Sequence, residues 1–348
     1  MNPVPYKRRI EAINEVKKNE QKRTLLTGQR PVEFNVDKYS IPESAIELND
    51  YQYQALLWAD SASNVVCIHG PPGTGKTRTL TSYVQQSIAK NKSVLVTAHS
   101  NQAVDNLLVG DSTPGNPEDG TLHAMAQDPD MDLSIARVGS NTQNEVVAAN
   151  YLAKSSSTAT VVAATTSGAA QFSQNEFDVA VVDEATQASR PATAIVLNCA
   201  QKLVLAGDHK QLPPFSAAEP KEDDLQTSLF EYLLHRYDDE ISVLLRTQYR
   251  MNENIVSFPD QAFYDSNLET ADKWRNWTIN DLEPIWGIDI QGEEQQESYS
   301  NSLYNDMEAH TTVTLSAENG RVSVFRDGTF TASTRDELSA EWRVNADE

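Results

Sequence analysis

The chain has 348 residues, 50 of them acidic and 28 basic, so its formal net charge at pH 7 is -22 and its isoelectric point is about 4.6. Its two cysteines, Cys67 and Cys199, lie in apolar surroundings and lack the paired spacing of a disulfide framework or a zinc site. No apolar stretch approaches the roughly 18 residues of a membrane span, and the charged start MNPVPYKRRI is unlike a secretory leader. The composition excludes a disulfide scaffold and a membrane-spanning protein, and we expect a soluble, cytoplasmic protein.

The net negative charge also suggests the salt concentration at which the protein functions. Acidic surfaces keep proteins soluble near molar salt, so the charge favours a halophilic source, with an ordinary acidic protein as the alternative. Under such salt, counterion release contributes little to the binding of a polyanion. Hydrogen bonds and stacking then have to supply the affinity.

Basic residues concentrate at the start of the chain, where Ile10, Ile13 and Val16 recur at near-helical spacing. Residues 1–46 are therefore predicted to form a basic helical segment with one thin apolar stripe. Two roles fit this segment. It is either a solvated helix packed on the main body, which we favour, or a contact to nucleic acid.

Strand-like and helix-like stretches alternate from residue 47 onward, for example VVCIHG followed by TRTLTSYVQQSIAK. The other apolar runs are SVLVTAHS, SIARVGS, ATVVAATT, FDVAVVDE and KLVLAGD. This alternation is typical of an α/β fold in which helices cover both faces of a parallel sheet. It does not resume near the end of the chain, where RVSVFRDGTFTAS predicts a β-hairpin.

The stretch GPPGTGKT (residues 70–77) fits the phosphate-loop pattern of a glycine, four residues, and Gly-Lys-Thr. A strand before it and a helix after it would point the amino terminus of the helix at a bound anion. The glycines let backbone N–H groups surround the phosphates, Lys76 reaches the β and γ oxygens, and the Thr77 hydroxyl coordinates Mg²⁺. A chance match by a glycine-rich turn is the alternative. The predicted ATP-binding residues of the loop are Gly70, Pro71, Pro72, Gly73, Thr74, Gly75, Lys76 and Thr77.

Asp183 and Glu184 follow the apolar run FDVAVV, at the predicted end of a strand. A carboxylate in this position can hold Mg²⁺, which assigns Asp183 to the metal and leaves Glu184 to orient and deprotonate the attacking water. Helix capping by the two carboxylates is the alternative. The pair and the loop predict a site for a nucleoside triphosphate. They do not separate motor ATPases from ring-forming protein remodellers, in which GPPGTGKT also occurs.

Three further stretches resemble, in the right order, the motif set of superfamily 1 helicases. They are VTAHSNQAVDNL (96–107), LVLAGDHKQLPP (203–214) and LLRTQYRM (244–251). The chain is most similar to the subgroup that contains the nonsense-mediated-decay RNA helicase, senataxin and the immunoglobulin-µ-binding helicase. This resemblance implies a RecA-like P-loop NTPase lobe, and ATP binding and hydrolysis coupled to a single strand of DNA or RNA with 5′ to 3′ polarity.

The resemblance also implies roles for individual residues. Gln52, in LNDYQ, resembles the glutamine that hydrogen-bonds the adenine edge, and Tyr249 resembles a residue that stacks near the base. Gln211 resembles the γ-phosphate sensor, and Arg250 resembles the first arginine finger. The catalytic set implied in this way, together with the two motifs above, is Lys76, Asp183, Glu184, Gln211 and Arg250.

Contacts to a single strand come, in this family, from loops after the second and fourth predicted strands. By resemblance, Ser100, Asn101 and Thr165 would touch the sugar-phosphate backbone, and Pro213 would pack near the bases. Small polar side chains suit a salt-rich cytosol better than lysines do. Ordinary turn and capping chemistry is the alternative for these residues.

The resemblance divides the chain into a first RecA-like lobe at 47–240, an incomplete second RecA-like lobe at 241–315, and an acidic hairpin-like tail at 316–348. The family's glutamine-glycine motif and its second arginine finger do not appear in the sequence. Three explanations remain open: a truncated or frameshifted product, a second polypeptide that supplies the missing strands, or a short form with its own function.

We therefore expect an ATP-dependent helicase or translocase that binds nucleotide but, as this chain alone, hydrolyses weakly and does not unwind processively. The alternative from another class is an adaptor that binds nucleic acid or a partner under ATP control without translocating. A ring-forming protein remodeller is disfavoured because GDHKQLPP and QYRM have no place in one.

Overall fold

The computed structural model describes residues 4–35, 46–129, 131–139, 141–211, 227–276, 278, 285, 295–296, 303–305, 321–326 and 329–334. The chain divides into two compact units. The first comprises Met1–Met251 with Pro259–Ala271, and the second comprises Asn252–Phe258 with Asp272–Glu348.

A seven-stranded sheet forms the centre of the first unit, in the order β3-β4-β2-β5-β6-β1-β7. Every pairing in it is parallel. The six strands predicted from the sequence are all present, which confirms the α/β class. The strands are β1 (Val65–His69), β2 (Val94–Ala98), β3 (Ile135–Arg137), β4 (Val161–Thr165), β5 (Phe177–Val182), β6 (Ala200–Gly207) and β7 (Ser242–Leu244).

Helices cover both faces of this sheet because successive strand residues point to opposite sides. In β1, Val66 and Ile68 join one buried cluster, whereas Val65 and Cys67 join the other. The first cluster is covered by α3 (Asp50–Ser61), α4 (Lys76–Ala89), α5 (Asn101–Val109), α6 (Leu122–Gln127) and α7 (Glu145–Asn150). The second is covered by α1 (Val4–Lys18), α2 (Glu20–Leu26), α8 (Arg190–Cys199) and α9 (Leu229–Tyr237). Among the described residues, no helix is both long and apolar enough to cross a bilayer.

The basic segment at the start of the chain packs on the body of the first unit. Val16 and Ala12 of α1 are buried in the second cluster, and the Asn198 amide of α8 donates to the Ala12 carbonyl at 2.9 Å. Lys22 Nζ donates to the Asn198 carbonyl at 3.0 Å. The predicted packing is confirmed, but the apolar stripe is shifted: Ile10 is 50% exposed, and Ala12 takes its place against α8.

The first unit extends beyond position 240, where the sequence predicted that the first lobe ends. Strand β7 pairs with β1 and so extends the first sheet, because β6 occupies only one edge of β1. Strands β8 (Thr247–Gln248) and β9 (Glu269–Thr270) then pair in parallel, also within the first unit. The structure thus assigns these residues to the first unit, where the sequence predicted the start of a second lobe.

The second unit holds short elements. Strands β10 (Gln295–Gln296) and β11 (Leu303–Tyr304) pair antiparallel. Strands β12 (Arg321–Arg326) and β13 (Thr329–Thr334) form the antiparallel hairpin that the sequence predicted. Residues 253–258 of helix α10 (Glu253–Phe263) belong to the second unit and its residues 259–263 to the first, whereas helix α11 (Asp272–Arg275) belongs to the second.

One test of the packing of α1 compares two apolar residues on the same helix. Val16 is 7% exposed and Ile10 is 50% exposed. We expect Val16→Ala to lower the free energy of unfolding by about 2 kcal/mol, because it removes buried methyl groups and leaves a cavity. The control Ile10→Ala should change it by less than about 0.5 kcal/mol. Urea unfolding measures both, and equal losses would contradict the packing described for α1.

Lys202 is a buried lysine within β6. Its Nζ donates to the Asp60 carbonyl at 3.1 Å and lies 5.7 Å from the ring centroid of Tyr83. Burial lowers the pKa of Lys202 from 10.5 to about 7, and the nearby charge of Lys92 acts in the same direction. At a pH between these two pKa values, Lys202 carries a proton in the unfolded chain but not in the folded chain.

This difference predicts a pH-dependent contribution to stability. As the pH rises from 7 to about 10, the contribution of Lys202 to the free energy of unfolding should increase by up to about 1.4 kcal/mol per pH unit. Lys202→Met should remove that contribution, so we expect its stability relative to wild type to fall as the pH rises. Lys18→Met, at an exposed position of α1, is the control. Urea unfolding at several pH values gives the slopes, and parallel slopes for Lys202→Met and wild type would refute the prediction.

Candidate functional site

The loop at residues 70–77 connects the end of β1 to the start of α4, as the sequence predicted. The Gly70 N–H donates to the Gly207 carbonyl at 3.0 Å, which joins the loop to the end of β6. The Thr74 hydroxyl donates to the Pro71 carbonyl at 2.7 Å and closes the turn. Helix α4 follows Gly75 without a side-chain cap, so the N–H groups of its first turn face the loop and favour an anion there.

Two glycines of the loop lie where a larger residue would not fit. Gly73 and Gly75 have φ values of +77° and +79°. A Cβ on Gly73 would lie 2.6 Å from Cβ of Arg250, and a Cβ on Gly75 would lie 2.4 Å from Nε2 of Gln52. The loop therefore needs glycine for its backbone conformation and for the close approach of two distant segments.

The carboxylates predicted to act with the loop lie directly beside it. Lys76 Nζ donates to the Gly70 carbonyl at 2.8 Å and lies 3.6 Å from Oε1 of Glu184. The Thr77 hydroxyl donates to Oδ2 of Asp183 at 3.3 Å. The structure thus brings together the predicted phosphate-binding lysine, both carboxylates and the hydroxyl.

The environment of Asp183 suits a cation. Burial raises the pKa of Asp183 to about 6, the charge of Glu184 acts in the same direction, and Lys76 opposes both. A buried carboxylate of this kind gains from a positive ion beside it. Since the Thr77 hydroxyl lies next to it, the two oxygens fit the hard ligands that Mg²⁺ prefers.

The segment after β7 packs against the glycine loop. Tyr249 N–H donates to the Gly73 carbonyl at 2.9 Å, and the Asn49 amide donates to the Tyr249 hydroxyl at 2.7 Å. Arg250 follows directly, with its Cβ near Gly73. The predicted arginine finger therefore begins at the loop itself.

Gln248 holds this segment in place and was missed by the sequence analysis. Its side chain is fully buried, and its Oε1 accepts from the N–H groups of Arg250 and Met251 at 2.9 and 2.8 Å. Its Nε2 donates to the Thr270 hydroxyl at 2.9 Å. In LLRTQYRM it stands between Thr247 and Tyr249, so the sequence carries no local signal that its amide is buried.

Gln52 also contacts the loop. It forms a capping box with Asn49 at the start of α3, and its Nε2 donates to the Thr74 carbonyl at 3.0 Å. Its side chain is buried. Gln52 thus supports the loop in this structure, and the adenine contact implied by resemblance stays a prediction.

Gln211 follows β6, the strand that neighbours β1, and lies at the same edge of the sheet as the loop. Its Nε2 donates to Oδ2 of Asp208 at 2.9 Å. Burial by itself would raise the pKa of Asp208, but hydrogen bonds from His69 and Tyr264 outweigh burial and hold that pKa at about 2. Pro213 lies outside the described residues.

The other residues predicted to contact a single strand lie at the ends of two paired strands, β2 and β4. Ser100 caps α5, accepting from the Ala103 N–H at 3.1 Å, and Thr165 accepts from the Gly168 N–H at 3.0 Å. Asn101 Oδ1 accepts from a guanidinium N–H of Arg137 at 2.9 Å. The structure brings the three together at one edge of the sheet. It gives Ser100 and Thr165 the capping or turn role named as the alternative, whereas the Asn101 side chain is bonded to Arg137.

Arg137 is a second residue that the sequence analysis missed. It is buried at the end of β3, and its Nε donates to Oδ1 of Asp105 at 2.9 Å while it also holds Asn101. The run SIARVGS signals only a strand, and nothing in it indicates that the arginine turns inward. Arg137 fixes the first turn of α5, where Asn101 lies.

Two families described as "AAA domain" match the chain, one over residues 47–157 and 141–219 and the other over residues 225–318. The DNA polymerase alpha-associated DNA helicase A of Schizosaccharomyces pombe is 30% identical, over 88% of this chain and 55% of that protein. An uncharacterized ATP-dependent helicase of Methanocaldococcus jannaschii is 28% identical, over 90% of this chain and 62% of that protein. The DNA replication ATP-dependent helicase/nuclease dna2 of Schizosaccharomyces pombe is 31% identical, over 72% of this chain and 18% of that protein. The chain thus spans less than two thirds of each of these relatives.

The loop geometry can be tested with two glycines of similar φ. Gly75 (φ +79°) contacts Gln52, whereas no atom of the described residues lies within 4 Å of the position that a Cβ on Gly115 (φ +81°) would take. Gly115→Ala should lower the free energy of unfolding by about 1 kcal/mol, the backbone cost alone. Gly75→Ala should lower it by about 2–3 kcal/mol, because the methyl group also displaces the Gln52 amide.

Gly75→Ala should also weaken the binding of a fluorescent ATP analogue at least about tenfold, because its backbone N–H groups no longer fit the phosphates. Gly115→Ala should leave this affinity unchanged. Urea unfolding and a fluorescence titration provide the two measurements. Equal behaviour of the two variants would contradict the close contact at Gly75.

Proposed function

Because this chain belongs to the superfamily 1 helicases, we propose that it binds and hydrolyses ATP and couples hydrolysis to 5′ to 3′ movement on a single strand of DNA or RNA. The observation that supports this proposal is the convergence on one glycine loop of Lys76, the two carboxylates and the segment that carries Arg250. The loop alone is shared by many ATPases. The addition of the Tyr249 and Gln211 segments to it favours a helicase.

The phosphates would lie against the backbone N–H groups of residues 70–77 and the first turn of α4. Lys76 would exchange its bond to the Gly70 carbonyl for the β and γ oxygens. Thr77 and Asp183 would hold Mg²⁺, which, when bound, neutralises charge on the phosphates. Gln52 and Tyr249 would contact the adenine and its surroundings.

Glu184 would orient the attacking water and accept its proton. Its Oε1 lies 3.6 Å from Lys76, and its side chain keeps 29% of its surface exposed, so water reaches it. Arg250 would stabilise the negative charge that develops on the γ-phosphate, and Gln211 would detect whether that phosphate is present. With Lys76 and Asp183, these three residues form the proposed catalytic set.

Nucleic acid would bind at the edge formed by the ends of β2 and β4. Ser100, Asn101 and Thr165 would bond the sugar-phosphate backbone, with Pro213 near the bases. All four are uncharged, so their contacts release few counterions and weaken little with salt. This property agrees with the net charge of -22 and with our proposal that the protein works in a halophilic cytoplasm.

ATP turnover with and without single-stranded DNA or RNA tests the proposal. It should be measured in molar potassium chloride and at about 0.1 M salt. Glu184→Gln should bind ATP with unchanged affinity but reduce turnover at least about 100-fold, because the water loses its base. Glu145→Gln, at an exposed position in the first turn of α7, is the matched control and should retain wild-type turnover.

Each result has a distinct meaning. Stimulation by a single strand that Glu184→Gln abolishes would support a working motor ATPase. ATP binding without turnover on either strand would overturn hydrolysis and favour the non-translocating adaptor. A hexamer in solution, with turnover indifferent to nucleic acid, would favour a ring-forming remodeller.

A further inference from the structure

The carboxylate of Asp208 joins the candidate γ-phosphate sensor to two residues to which the sequence assigned no role. Asp208 is fully buried just after β6. Its Oδ1 lies 3.0 Å from Nε2 of His69 and accepts from the Lys210 N–H at 3.1 Å. Its Oδ2 accepts from Gln211 Nε2 at 2.9 Å and from the Tyr264 hydroxyl at 2.6 Å. Since an ionised carboxylate only accepts, His69 donates from Nε2, and each oxygen has two donors.

Tyr264 reaches this carboxylate from another part of the first compact unit. It directly follows α10, and its N–H donates to the Asp260 carbonyl at 3.0 Å. Its side chain is buried, and its ring centroid lies 6.2 Å from that of His69. The phenol therefore has a fixed direction, and its short bond to Oδ2 is charge-assisted.

Gln211 has two competing partners if it senses the γ-phosphate. Its side chain is exposed, so it is free to turn, but its amide is bonded to Asp208 in this structure. When the amide turns to a phosphate, Oδ2 loses one donor. A buried carboxylate oxygen without any donor carries the full cost of desolvation, so it would retain Gln211. With the Tyr264 hydroxyl in place, Oδ2 stays bonded after Gln211 leaves.

We propose that Tyr264 is a positioning residue for Gln211, because it keeps the Asp208 carboxylate bonded while the Gln211 amide moves to the γ-phosphate. This inference rests on the proposed function, which supplies the triphosphate. Tyr264 touches neither nucleotide nor water in this role and acts only through Asp208. Its loss should therefore weaken the recognition of a triphosphate and leave the recognition of a diphosphate intact.

The test compares the affinities of AMP-PNP and ADP, so it does not depend on turnover. Tyr264→Phe removes the hydroxyl and keeps the ring. We expect its dissociation constant for AMP-PNP to rise about tenfold, as loss of one bond to a charged group predicts, and that for ADP to stay within about twofold. In a Gln211→Ala background, Tyr264→Phe should have no further effect on either nucleotide.

Tyr232→Phe is the matched control, because the Tyr232 hydroxyl donates to the Leu26 carbonyl at 2.9 Å, away from the loop. It should leave both affinities unchanged. Where wild type also turns over ATP, Tyr264→Phe should lower kcat about tenfold, since the sensor stays on Asp208.

The outcomes separate this inference from the proposed function. If wild type binds both nucleotides and Tyr264→Phe behaves as Tyr232→Phe does, the inference is overturned and the proposed function stands. Equal weakening of AMP-PNP and ADP, or a full additional loss in the Gln211→Ala background, would likewise overturn it. If wild type binds neither nucleotide, the proposed function fails and the inference fails with it.

Discussion

The close approach of two distant segments to one glycine loop is the constraint on which the candidate site depends. Gln52 contacts the loop from the start of α3, and the Tyr249–Arg250 segment contacts it from beyond β7. Both contacts require the absence of a side chain on the loop, because a Cβ on Gly73 or Gly75 would overlap its neighbour. The geometry of the site follows from backbone that only glycine allows.

The parallel sheet brings the rest of the site to the same place. Strands β5, β6 and β1 are consecutive in the sheet. The Asp183–Glu184 pair, Asp208 and the loop follow their carboxyl ends, in that order, and so lie at one edge of the sheet. Strands β2 and β4 extend that edge toward Ser100 and Thr165. The candidate nucleotide site and the candidate strand-binding site thus both lie at the carboxyl ends of strands of one parallel sheet.

Buried polar groups fix the movable parts of this edge. Gln248 holds the segment of Arg250, Arg137 holds Asn101, and Asp208 holds Gln211. In each case a buried side chain that must be hydrogen-bonded sets the position of a more exposed residue. In a protein with a net charge of -22, such short-range bonds are screened by salt far less than surface charges are.

The sequence by itself determined the parts that are local. Six strands, the loop at 70–77 and the hairpin at 321–334 were predictable, because periodicity, glycine spacing and turn chemistry act between near neighbours. Tertiary structure alone decided the rest. β7 completes the first sheet at a position predicted to begin a second lobe, and Gln248, Arg137 and Tyr264 reach partners up to 56 residues away. Pairing to a free strand edge and the bonding of a buried polar group depend on which distant residues the fold brings near, and no local pattern encodes that.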